Sequence, residues 1–187
     1  MEKTIIMPQN TNQQYDQAII RCRQVFLDKT RDYGTSWRVL RIISVVDQIF
    51  IKAQRIRTIQ EKKVQKIGDS IASEFMGIVN YCVIGLIQMK LNSTSVEDLS
   101  VSEVEQLYNI QIDRARTLML DKNHDYGEAW RNMRLSSLTD IILMKLKRIK
   151  QIEDNAGKTF VSEGVDSNYY DIINYSVFAL IKIVSSE

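Results

Sequence analysis

Shifted by 93 residues, the sequence overlays itself. Residues 21–56 align without a gap on residues 114–149, and 17 of those 36 positions are identical. The identities include Asp28/Asp121, Lys29/Lys122, Asp32/Asp125, Tyr33/Tyr126, Gly34/Gly127, Trp37/Trp130, Arg38/Arg131, Arg41/Arg134, Asp47/Asp140, Lys52/Lys145 and Arg55/Arg148. One inserted residue later the register recovers, and Asn80-Tyr81 falls on Asn174-Tyr175. The chain is therefore a tandem duplication, with one copy over 1–92 and the other over 93–187. Two copies are too few for a solenoid, which needs at least about three. An internal pseudo-dimer sharing one core is the expected outcome.

Each copy reads as three helices, and the expected fold is an all-α helical bundle. The chain has one proline, Pro8, and seven glycines, too little punctuation for a turn-rich β fold. Helix one is expected over about 12–29 and 101–122. Ser100 and Glu103 have the spacing of a capping box at the start of the second of these. Gly34 and Gly127 then break the pattern and suit a left-handed or tight-turn backbone. Helix two is expected from near 36 to 59 and from near 129 to 153. Its run Ile42, Ile43, Val45, Val46, Ile49, Phe50 and Ile51 is apolar nearly all round, which predicts a central helix. Helix three is expected over about 69–91 and 163–184, with a polar linker at 92–100.

Composition narrows the function classes. The net charge is +2, from 25 basic and 23 acidic residues, so bulk charge does not argue for nucleic acid or a membrane surface. Cys22 and Cys82 sit in apolar stretches with no metal-ligand spacing and read as reduced structural thiols. No secretory signal is evident, and no run of about 18 uncharged apolar residues predicts a membrane span. The expected location is the cytoplasm.

Cationic chemistry must come from local clustering. On a helical wheel Arg38, Arg41, Lys52 and Arg55 fall in a sector of about 100°, as do Arg131, Arg134, Lys145 and Arg148. Such a stripe reads either as a solvated face or as a seat for phosphate oxygens. In D-Y-G-x-x-W, Tyr33/Tyr126 and Trp37/Trp130 read either as a local staple or as rings that stack on a base, with Asp32/Asp125 fixing a donor. His124 is replaced by Arg31 in copy 1, so a role shared by both copies cannot need an imidazole. Asp47 and Asp140 lie within the apolar run, where a buried charge needs a partner. On helix three of copy 2, Glu163, Ser167, Asp171, Asn174 and Phe178 share a face with Asp166 nearby. These carboxylates are candidate Mg²⁺ ligands. Copy 1 has Asp69, Ser73, Gly77 and Asn80 at the matching places, so an aspartate has become Gly77.

The pattern K-x-x-D-Y-G-x-x-W, then a K-x-x-R-I helix, then D-x-x-N-Y resembles the nucleotide modification associated domain 1 family, formerly a domain of unknown function. The resemblance covers both halves. It rests on Lys29/Lys122, Asp32/Asp125, Tyr33/Tyr126, Trp37/Trp130, Lys52/Lys145 and Arg55/Arg148, with Asp171 and Asn174 in copy 2 and Asn80 in copy 1. The layout is also similar to the all-helical nucleoside triphosphate pyrophosphatases, which hold Mg²⁺ on acidic helices, although this chain has no E-x-x-E.

Three readings follow. One is a Mg²⁺-dependent nucleotide-processing enzyme. The second is a module that binds a nucleotide or other phosphorylated small molecule. The third is an interaction scaffold whose shared polar residues form a structural salt-bridge network. A further homodimer through exposed faces of helix three is the expected assembly.

Overall fold

The computed structural model describes residues 10–91, 98–158 and 164–186. Within them lie six α-helices: α1 (Thr11–Tyr33), α2 (Ile42–Lys62), α3 (Ile71–Leu91), α4 (Val101–Tyr126), α5 (Leu135–Asp154) and α6 (Val165–Val184). A single 3-10 turn precedes α2 and α5, at Ser36–Val39 and Ala129–Asn132. The repeats are related by a pseudo-twofold, which the hydrogen bonds reveal most directly. Tyr15 Oη donates to Asn174 Oδ1 at 2.9 Å, and the equivalent Tyr108 Oη donates to Asn80 Oδ1 at 3.0 Å. Each asparagine in turn donates to helix one of its own repeat, Asn80 to the Cys22 carbonyl and Asn174 to the Ala115 carbonyl.

Helix two begins six residues later than expected in both copies, at Ile42 and Leu135, while the starts of helix one follow the sequence. Asn10 caps α1, and Ser100 with Glu103 forms the expected capping box on α4. Those serine contacts hold the Glu103 carboxyl below its ordinary range. Gly34 and Gly127 take positive φ, 62° and 57°, where a Cβ would be strained. Helix one runs one turn further than expected, to Tyr33 and Tyr126. That extra turn stacks Lys29 with Tyr33, and Lys122 with Tyr126, at i, i+4 on one helix face.

The expected central helix is a different one. On α2, Val45, Val46 and Ile49 are fully buried, but Ile43, Phe50 and Ile51 are exposed. The centre is α3 packed on α6. By length and composition α3 matches a membrane-spanning helix; here it packs against α2 and α6. Gly85 lets the two central helices close, since a Cβ there would lie 2.9 Å from the Tyr169 ring. The buried faces of helix three, on α3 and α6, join the two repeats. Buried residues of both repeats merge into one core. Cys22 and Cys82 are free thiols within it, and burial pushes the Cys22 thiol up to about 12.

Asp47 and Asp140 are exposed rather than buried. They cross the pseudo-twofold as a reciprocal pair: Asp47 meets Lys150 at 2.6 Å, and Asp140 lies 3.9 Å from Arg57. Glu153 nearby is less well served. One of its carboxylate oxygens is buried without a hydrogen-bond partner. Burial, then Asp154 and Asp47, push its carboxyl above the usual carboxylate range, against an opposing pull from Lys150. An acid whose folded pKa is raised favours the folded state at low pH and loses that advantage as pH rises through the folded value. Glu153→Gln is therefore expected to melt above the parent at pH 7, with the gap closing as pH falls to about 4. A glutamine variant that melts lower at pH 7 would mean that Lys150 already satisfies the charge.

Candidate functional site

The end of helix one, the 3-10 turn and helix three line a cleft in each repeat, joined in the first by Lys52 of helix two. The first cleft, about 530 Å³, is lined by Lys29, Tyr33, Trp37, Lys52, Glu74 and Gly77, among others. Its counterpart, about 280 Å³, is lined by Lys122, Tyr126, Trp130, Asp171, Asn174 and Tyr175, among others. Tyr33 and Tyr126 stand at the mouths, 68% and 72% exposed. Deeper in, the indole N–H groups of Trp37 and Trp130 are both buried without an acceptor.

The charges inside differ between the copies. Asp171 takes Lys122 Nζ on one carboxylate oxygen at 2.6 Å and Lys145 Nζ on the other at 2.5 Å. In the first repeat the aspartate position is Gly77, and the acid has moved back one helical turn to Glu74. Glu74 accepts from Arg55 on one oxygen and from Lys52, at 3.2 Å, on the other. Lys29 makes no ion pair among the described residues. The aromatic floors differ too. Trp130 stacks on Phe178, with ring centroids 4.2 Å apart and planes 3° apart. Ile84 lines the first cleft at the position equivalent to Phe178.

The cationic stripe does not survive as one surface. Arg38 and Arg131 belong to the 3-10 turns, not to helix two. Arg38 is buried and donates to Gln88. Arg131 lies over the Trp130 ring and binds Glu128, Thr11 and Gln14. Arg41 and Arg134 become the residues before α2 and α5 and are exposed, as is Arg148. The 3-10 turn changes the rotation per residue, so the sector drawn on a continuous wheel splits. Asp32 and Asp125 are exposed and do not line the clefts described. His124 sits outside as well, 3.1 Å from Asp125.

The expected metal set is also dispersed. Asp171 is buried between two ammonium groups, Asp166 is exposed in the first turn of α6, and Glu163 lies outside the described residues. No group of three His, Cys, Asp or Glu among the described residues is arranged to hold a metal ion. Two positive charges on Asp171 oppose a third, so these residues do not fit a Mg²⁺ centre. Glu74 and the two cleft-lining tyrosines of helix three, Tyr81 and Tyr175, were not anticipated as site residues. A search for an acid displaced by one turn from Gly77 would have found Glu74.

A family model described as nucleotide modification associated domain 1 matches the chain twice, over residues 29–89 and 122–183. The chain belongs to the nucleotide modification associated domain 1 family. Each match begins at the cleft lysine, Lys29 or Lys122, and runs through helix three, so the domain as the family defines it contains one cleft per copy. No curated protein and no solved structure matches the chain.

Proposed function

We propose that this protein binds a nucleotide or another phosphorylated small molecule in a repeat cleft. The observation that carries the reading is the cleft itself. Residues from four separate elements put ammonium groups beside tyrosine and tryptophan rings. Ammonium groups suit phosphate oxygens and rings suit a base. The first cleft's volume falls within the range of about 300–1,000 Å³ common for small-molecule sites. The asparagines Asn80 and Asn174 hold helix three in register, so their role is positional. No step through a bound metal is part of this reading.

The interaction-scaffold reading draws on the reciprocal pairs Asp47–Lys150 and Asp140–Arg57. Those pairs are exposed, and exposed pairs contribute at most about 1 kcal/mol each. They also leave Lys29 and the first cleft without an explanation.

The test is a thermal-shift screen against nucleoside mono-, di- and triphosphates, with and without Mg²⁺. A ligand at about 100 times its dissociation constant stabilises by about 2.7 kcal/mol, which raises the melting point of a chain this size by roughly 5–10 °C. The expected result is a rise that does not depend on Mg²⁺ and is lost in Lys29→Ala. A rise seen only for triphosphates with Mg²⁺ would favour metal-assisted hydrolysis instead. Absence of any rise would favour the scaffold.

A further inference from the structure

We infer that the phosphate seat is open in the first repeat alone, and that Asp171 is a built-in anion filling the same seat in the second. This inference rests on the binding reading above and goes further by assigning the site and the ligand class, a mononucleotide or similar phosphate monoester of a planar ring. The lysines that grip Asp171 are Lys122 and Lys145, and their equivalents are Lys29 and Lys52. The carboxylate they hold springs from position 171, whose equivalent is Gly77. A Cβ at Gly77 would lie 2.8 Å from Lys52 Cε and 3.2 Å from Lys52 Nζ. In the first repeat the Lys52 side chain lies over Gly77, where the internal carboxylate would begin, and Lys29 lines the same cleft.

The neighbours agree with an unfilled seat. Lys29 has no acid among the described residues. Arg55 closes on Glu74, which leaves Lys52 a longer 3.2 Å contact that an incoming anion can replace. Asp69 stands exposed at the rim, where water screens it. The ring subsite follows the same division. Phe178 occupies the face of Trp130 in parallel stacking, the arrangement a planar base would adopt. At that position the first repeat has the smaller Ile84, and its cleft is nearly twice as large. One repeat thus carries a carboxylate and a ring at positions 171 and 178, and the other has glycine and isoleucine there, with Glu74 one turn back holding Arg55 and Lys52.

Isothermal titration of the full chain with AMP, repeated with inorganic phosphate, tests this. One site per chain is expected. Gly77→Asp should lower the affinity at least about tenfold by giving Lys29 and Lys52 an internal carboxylate, equivalent to about 1.4 kcal/mol. Asp171→Ala should add a second phosphate site. Lys29→Ala, an exposed change, should also weaken binding at least tenfold and decides the matter if Gly77→Asp does not fold. Two sites in the parent chain, or unchanged affinity in Gly77→Asp, would overturn the division while leaving the binding reading intact, whereas unchanged affinity in Lys29→Ala would overturn both. A parent chain that binds neither AMP nor phosphate would overturn both.

Discussion

Asp171→Ala is expected to lower the stability of the fold by about 3 kcal/mol, at the lower end of the cost of breaking a buried ion pair. The Asp171 carboxylate is only 6% exposed and is gripped by two ammonium groups. Removing it leaves Lys145, 14% exposed, with a charge and no counter-charge. Lys122 is 43% exposed and its charge is already partly solvated, which moderates the loss. For a chain of this length the melting point should fall by roughly 6–12 °C. Adding Lys145→Met to Asp171→Ala should recover part of the loss, because the stranded charge is gone. A fall below about 2 °C in the single variant would show that the carboxylate is solvated and not holding α4, α5 and α6 together.

Asn174→Ala is expected to cost about as much, roughly 3 kcal/mol, for a different reason. Its amide donates to the Ala115 carbonyl at 2.9 Å and accepts from Tyr15 Oη at 2.9 Å. Both partners are deep in the core, and each buried group left without a partner costs about 1–3 kcal/mol. Burial pushes the Tyr15 and Tyr108 phenols far up, so both remain neutral donors at any ordinary pH. Asn80→Ala should cost a similar amount by stranding the Cys22 carbonyl and Tyr108. Urea denaturation of the two variants checks this. Losses that differ by more than about 1.5 kcal/mol, one typical net hydrogen bond, would mean that the two crossings are not equivalent.

The duplication, the all-α class and the helix order were legible in the sequence because identity and periodicity repeat over whole helices. The error over the central helix has a simple cause. The apolar residues of α2 form one dense cluster of seven, whereas those of α3 are spread along the whole helix and interrupted by Glu74, Asn80 and Gln88. The cationic stripe failed at residues 36–41, where no proline or glycine announces the 3-10 turn. Lys29, Tyr33, Trp37 and Lys52 were legible as a set because they recur in both copies. Of their acidic partners, Asp171 was legible as a site residue but with a metal rather than the lysines as its partner, and Glu74 was not, because the two acids occupy different turns of equivalent helices and an alignment column compares only like positions.

Joining the two repeats in one polypeptide has a consequence for how such a protein can change. In a homodimer of identical single repeats, any substitution that fills one pocket fills both, so specialisation of one side is closed to it. Here Tyr15–Asn174 and Tyr108–Asn80 keep the halves mated, while each half carries its own codons. An aspartate at 171 and a glycine at 77 are thus compatible within one molecule. Symmetry survives in the tyrosine–asparagine crossings that hold the repeats together and is broken in the clefts.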